Sequence, residues 1–142
     1  MTHQEPLRDR VELALVEFGF NPTQAEHLAS IASNPLFLAI HREQERQVAK
    51  WGEQNHPSFT SVDDRERRIE IAELVKASVD SSAAVGSLAW EQVLTEELVE
   101  AQAEIEDPTA LKMELIQVAA VALSWIESVE RKEREEDGSQ EV

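Results

Sequence analysis

Three steps of an Asn or Asp followed by Pro, at Asn21-Pro22, Asn34-Pro35 and Asp107-Pro108, do most to limit what this chain can fold into. A short polar side chain before a proline supplies an N-cap, and the proline ring presets the first helical φ. Each step therefore starts a helix, and at the first one Gln24 stands at the capping-box position. Apolar residues recur at helical spacing around these starts. Leu7, Val11, Leu15 and Phe18 mark a helix over 7–18 that stops at Gly19, and Leu28 and Ile31 mark a second short one. A third runs from Pro35 to about Lys50. A fourth spans Asp63 to Asp80, with Ser61-x-x-Asp64 as its cap and Ile69, Ala72, Leu74, Val75 and Val79 on its apolar side. Ser81 to Ser87, small residues around Gly86, read as a connection. A fifth helix starts near Leu88 and ends before Asp107, and a sixth runs from Pro108 to about Lys132.

Composition agrees with an all-α chain. There are 4 Gly and no Tyr, and helix-forming Ala, Glu, Leu and Gln are abundant. The length suits one domain with a real core, carrying a small appendage. The expected division is an N-terminal helical hairpin over 1–34, a helical core over 35–132 and an acidic, disordered tail over 133–142. A formal charge of −16 argues against a nucleic-acid polymer as partner, because no basic footprint is available for its phosphates. Small phosphorylated ligands remain open, since they bind through a divalent cation. With no Cys, disulfides, thiolate zinc sites and Cys nucleophiles are excluded. The start of the chain has acids and no apolar run, so a cytoplasmic protein without a signal peptide is expected. The longest apolar stretch, 115–126, is too short to span a bilayer, so no membrane partner is expected.

The most unusual local feature is Glu96-Glu97-Leu98-Val99-Glu100 with Glu104 beyond it. Residues 91–107 hold seven acids and neither Lys nor Arg. On a wheel of about 100° per residue, Leu94, Leu98, Ala101 and Ile105 make one apolar stripe. Glu96, Glu97, Glu100 and Glu104 fan out from its flank, with Glu97 inside the boundary of the apolar face. A lone carboxylate there is costly unless it is paired or metal-bound. The last helix is apolar all round, through Leu111, Leu115, Ile116, Val118, Val121, Leu123, Trp125 and Ile126, which predicts an element enclosed by others. Its exceptions, Glu114, Gln117 and Ser124, share one side. A short Asp107-Pro108 connection sets the two helices antiparallel and lets the glutamates face Glu114 and Gln117. Converging carboxylates without thiols suit a hard ion, Mg²⁺ or Mn²⁺.

Two further features read as nucleotide chemistry. Arg42, Arg46 and Lys50 form a row at i, i+4 and i+8, in a chain with 13 cations against 29 acids. The segment after it, Trp51 to Thr60, combines aromatics, amides and His56 around Gly52. Aromatic planes stack on bases and amides read their edges. The bland alternative is a solvated row pairing with Glu43 and Glu45, beside a loop pinned by Trp51.

These residues resemble a known family. Glu96-Glu97-x-x-Glu100 matches the EExxE motif of the MazG-like, all-α nucleoside triphosphate pyrophosphohydrolases, which share their fold with dimeric dUTPases. Their second motif, ExxD, corresponds to Glu114-Leu115-Ile116-Gln117, with Gln117 standing where the motif has Asp. Lys50-Trp51-Gly52-x-Gln54-x-His56-Pro57 looks like the nucleotide-contacting loop of some members. Trp90-Glu91-x-Val93-Leu94 and Gln117-Val118-Ala119-Ala120-Val121 look like an actinobacterial and phage-type branch, and the likeness covers roughly 36–131. The resemblance implies an antiparallel helix bundle completed by dimerisation, and hydrolysis of an NTP or dNTP to the monophosphate and pyrophosphate. It implies Mg²⁺ as cofactor, Glu96, Glu97, Glu100, Glu114 and Gln117 as its ligands, and Glu97 and Glu100 as catalytic groups. Charge placement adds Arg46, Lys50 and Lys76 as phosphate partners beside Trp51, Gln54 and His56. The competing expectation is a catalytically weak or inactive nucleotide-binding or helical protein-interaction module.

Overall fold

A computed structural model describes residues 6–58 and 65–140. Among them are six helices and no strand, as the composition predicts. They are α1 (Leu7–Glu17), α2 (Pro22–Ala32), α3 (Pro35–Trp51), α4 (Arg65–Ala84), α5 (Trp90–Ala103) and α6 (Pro108–Gln140). The Ser61-x-x-Asp64 cap lies outside the described residues. The chain forms two compact units that meet between His56 and Pro57, so α3 groups with α1 and α2 and not with the acidic helix. That differs from the expected boundary after Asn34. The helix start at Asn34-Pro35 opens an element without opening a domain.

In the first unit, α1 packs along α2 as a hairpin. Asn21 accepts the backbone N–H of Gln24 at 2.9 Å, and Gln24 returns a bond to the Asn21 N–H at 3.3 Å. This is the capping box expected from the sequence. The α1 stop follows from Gly19, whose φ of 97° a side chain would strain. Gly19 N–H reaches Val16 O and Phe20 N–H reaches Leu15 O, the paired bonds of a Schellman end. Ala25 and Ala29, one turn apart, are fully buried and let the two helices approach closely. At the head of α3, Asn34 Oδ1 accepts the Leu36 N–H at 2.9 Å.

In the second unit, α5 lies between α4 and α6 and packs against both. The expected connection over Ser81–Ser87 is shorter than read, because α4 continues to Ala84. Ser81 stays helical by donating to Ala77 O at 2.9 Å, and Gly86 then closes the helix with a Schellman end at Ser82 and Ala83. Ala89 has no side-chain oxygen to cap α5. Gln92 does the work instead, accepting the Ala89 N–H at 3.0 Å and donating to Ser82 Oγ at 2.9 Å. Arg65 (3.0 Å) and Arg68 (2.8 Å) both grip Glu106, which straps the start of α4 to the turn between α5 and α6. Asp107 Oδ1 accepts the N–H groups of Thr109 and Ala110, so α6 begins as predicted.

Two expectations about this unit need correction. The α5 stripe contains Ala101 (2% exposed) and Ala103, while Leu98 is 46% exposed, because α5 meets neighbours on two sides and Leu98 faces neither. The last helix is not enclosed. Met113, Leu115, Ile116, Ile126 and Val129 are exposed, because among the described residues α6 packs chiefly on α5. It also extends eight residues past the expected Lys132, to Gln140, through helix-favouring residues and an Arg134–Glu130 contact at 4.0 Å. At 33 residues, and by length and composition alone, α6 qualifies to cross a membrane, although the apolar run inside it does not. Lys112 and Glu114 fall in that span, and each charge at a bilayer centre costs about 2.5–3.5 kcal/mol on insertion scales.

Candidate metal centre

Geometry on α5 separates the three motif glutamates. Taking Glu96 as 0° on a wheel of about 100° per residue, Glu100 lies near 40° and Glu97 near 100°. Glu96 therefore faces α4, Glu97 faces α6 and Glu100 stands between. The contacts follow this order. Glu96 Oε1 accepts from Lys76 Nζ of α4 at 3.4 Å. Glu97 and Glu100 instead meet Glu114 of α6, each offering a carboxylate oxygen within 4.8 Å of the other two.

All three of these carboxylates are half-buried. Glu97 Oε2 is buried and has no hydrogen-bond partner among the described residues. Burial, then the charges of Glu100, Glu96 and Glu114, raise the Glu97 carboxyl above the ordinary value of 4.5. Burial, then Glu96, raise Glu100 as well, with Lys76 pulling the other way. Lys76 is itself pushed up by its bond to Glu96, and the charges of Glu100 and Asp80 add to this. The outcome is a group of anions with one ammonium at its edge and an unsatisfied oxygen inside.

That donor set fits a hard divalent cation. Opposite oxygens around octahedral Mg²⁺ stand about 4.2 Å apart, so three oxygens within 4.8 Å close on one ion through small side-chain shifts. The orphaned Glu97 oxygen is one that an ion would satisfy. Gln117, one turn along α6, donates from Nε2 to Glu114 Oε2 at 2.6 Å. It orients a member of the cluster, and its amide nitrogen faces the cluster because a carboxylate can only accept. Glu104 caps the end of α5 and lies outside the trio.

The other expected site residues belong to the first unit and form a separate group. Arg46 is bound through two nitrogens to Glu43, at 2.7 and 2.5 Å, and Gln47 donates to the same carboxylate. Glu45 meets His41 at 3.6 Å. The solvated-row alternative thus describes Arg46 better than a free anion site does. Lys50 Nζ lies 4.7 Å from the centroid of the Trp51 ring, and the Arg46 guanidinium is 6.0 Å from it. Gln54 and His56 are within 3.1 Å of each other, and with Trp51, Glu53 and Asn55 they line an open concavity of about 580 Å³. Sequence reasoning missed the double grip of Arg65 and Arg68 on Glu106 and the Gln92–Ser82 link. Residues 38 apart carry no local signal of such a meeting.

Comparison with protein-family models, with curated proteins and with solved structures finds no match for this chain.

Proposed function

We propose that this chain is an Mg²⁺-dependent nucleoside triphosphate pyrophosphohydrolase that works as a homodimer. The observation that carries the reading is the meeting of Glu97, Glu100 and Glu114, with a buried Glu97 oxygen that nothing among the described residues satisfies. In this reading these three residues hold the ion, with Mn²⁺ as a substitute, and Gln117 fixes the rotamer of Glu114. The ion, when bound, supplies Lewis acidity and charge neutralisation at the phosphates. Water adds to the α-phosphorus, the bond from that phosphorus to the bridging oxygen breaks, and pyrophosphate leaves the monophosphate. A carboxylate oxygen of Glu97 or Glu100 that does not hold the ion would accept the proton of the attacking water. The α3 end, in the first unit, carries by itself groups of a nucleotide-binding kind. Trp51 and Gln54 suit a base, Lys50 suits phosphate, and His56 beside Gln54 suits either, while Arg46 is taken up by Glu43.

Homodimerisation is supported by what α6 leaves uncovered. Leu111, Leu115, Ile116 and Ala119 line one apolar hollow of about 440 Å³, and Leu94, Trp125, Ile126 and Val129 line another of about 510 Å³. The same faces favour a second reading, a helical interaction module with no turnover. One assay separates the two. The chain is incubated with a panel of NTPs and dNTPs plus Mg²⁺, and released pyrophosphate is measured with Glu97→Gln as control. Turnover lost in that variant supports the enzyme, whereas no turnover and no Mg²⁺-dependent thermal shift leave the interaction module. Gln117→Asp sharpens the result. It removes the bond to Glu114 and adds a carboxylate, so the metal-free protein should be less stable while Mn²⁺ affinity rises about tenfold, a size typical of changes around metal ligands.

A further inference from the structure

Resting on the reading above, we infer that Glu96 is not a ligand of the ion but the anchor of Lys76, whose ammonium is the phosphate-binding group of this site. The EExxE stretch then divides its labour. Glu97 and Glu100 turn toward Glu114, while Glu96, about 100° back around α5 from Glu97, turns toward α4. Lys76 answers from α4 at 3.4 Å and takes up one Glu96 oxygen. The two side chains differ in exposure in a way that suits these roles. Glu96 is 13% exposed and held in place, whereas Lys76 is 58% exposed and its ammonium is open to an incoming group.

Charge explains why such a group is needed. Three carboxylates around a divalent ion leave a net negative centre, and a triphosphate approaching it meets repulsion. Among the described residues Lys76 is the cation bonded into this acidic stretch, 3.4 Å from Glu96, and its charge acts on both Glu97 and Glu100. A long, half-exposed pair such as Lys76–Glu96 is weak. A shorter, charge-assisted bond to a phosphate oxygen is stronger, so the ammonium can pass from one to the other without moving far. Glu96 keeps the lysine stem on the correct side of α5 until that exchange. It is a positioning residue that acts through Lys76.

The test measures two ligands separately on the full chain. Mn²⁺ alone is titrated by calorimetry into the unmodified protein and into Glu96→Gln, Glu97→Gln and Glu100→Gln. Inorganic pyrophosphate is then titrated in saturating Mn²⁺ into the unmodified protein, Glu96→Gln, Lys76→Ala, Lys76→Met and the double variant Glu96→Gln/Lys76→Ala. Expected is Mn²⁺ affinity within about threefold of the unmodified value for Glu96→Gln, against a loss of about tenfold or more for the other two. Pyrophosphate binding should weaken about tenfold in both Lys76 variants, which circular dichroism confirms as folded. Glu96→Gln should add nothing once Lys76 is gone, a non-additivity that a merely structural role would not give. A Mn²⁺ loss in Glu96→Gln as large as in Glu97→Gln overturns the inference, and so does unchanged pyrophosphate binding in Lys76→Ala. If the unmodified chain binds no Mn²⁺, or Glu97→Gln and Glu100→Gln bind it normally, the metal reading itself fails and this inference falls with it.

Discussion

The two units treat glutamate in opposite ways. On α3, Glu43 has Arg46 three residues along and Gln47 four along, and both bond to it. Those bonds pull its carboxyl down to about 2. On α5, Glu97 and Glu100 have the same helical spacing but meet Glu114 instead of a cation, and burial with like charge pushes both up. A helix that closes its charges within one turn needs nothing from outside. A helix that gathers acids from a second helix, with one lysine at the edge, leaves a charge for something else to complete.

The largest expected effect sets Glu97→Gln against Glu43→Gln. The first removes an anion from a crowded, partly buried group, so the metal-free protein should melt at a higher temperature. The same change should weaken Mn²⁺ by about tenfold or more and lower pyrophosphate release by about a hundredfold or more. Stability and function move in opposite directions, as expected where like charges are held together for a ligand. Glu43→Gln should alter neither Mn²⁺ binding nor turnover. If Glu97→Gln destabilises the metal-free chain, the crowding that distinguishes the two units is not there.

On the proposed metal reading, protons and metal would compete for the α5–α6 cluster. The folded carboxyls of Glu97 and Glu100 lie above 4.5, so the folded state holds protons that the unfolded state has released. Their protonation therefore favours folding at low pH, and this contribution is lost as pH rises from 4.5 through the raised values. The second unit, free of metal, should gain thermal stability from this pair as pH is lowered from 7 toward 5. A bound ion needs the deprotonated groups, so its stabilisation should grow in the opposite sense, from pH 5 to pH 7. At a hundred times its Kd an ion adds about 2.7 kcal/mol, about 10–20 °C for a unit of this size. Melting curves at pH 5, 6 and 7 with and without Mn²⁺ check both signs, and an Mn²⁺ shift independent of pH would remove the carboxylates from the site.

Much of this contrast can be read locally. The caps at Asn21, Asn34 and Asp107 and the stop at Gly19 depend on a few adjacent residues, and the helices begin and end there accordingly. The meeting of Glu97, Glu100 and Glu114 was legible too, because a short connection between two helices leaves few registers. The exposure of Leu98 and the open face of α6 were not. Periodicity reports which side of a helix is apolar and says nothing of how many neighbours cover it. The unit boundary at His56 escaped for a related reason, since α3 carries the same start signal as a helix that opens a domain. The role of Gln117 needed coordinates. By resemblance it stands at the place of a motif Asp, and in the fold it is a donor at 2.6 Å from the Glu114 carboxylate.

The smallest effect tests the other half of the comparison. Glu43 is on the surface, so its bonds to Arg46 and Gln47 are screened by water and salt whatever their length. Its carboxyl is lowered from 4.5 to about 2, so any stability it lends is present above 4.5 and is lost as pH falls toward 2. Glu43→Gln should lower the melting temperature of the first unit by about 1 °C or less at pH 7 and low ionic strength. The difference should shrink at pH 3, where the unfolded carboxyl has taken up its proton and the native one mostly has not, and shrink again in 1 M NaCl, where the Debye length is about 3 Å. The Mn²⁺ shift of the second unit, carried by half-buried groups, should survive the same salt far better. If salt instead removed both effects equally, burial would not be what separates the α5 carboxylates from their counterparts on α3.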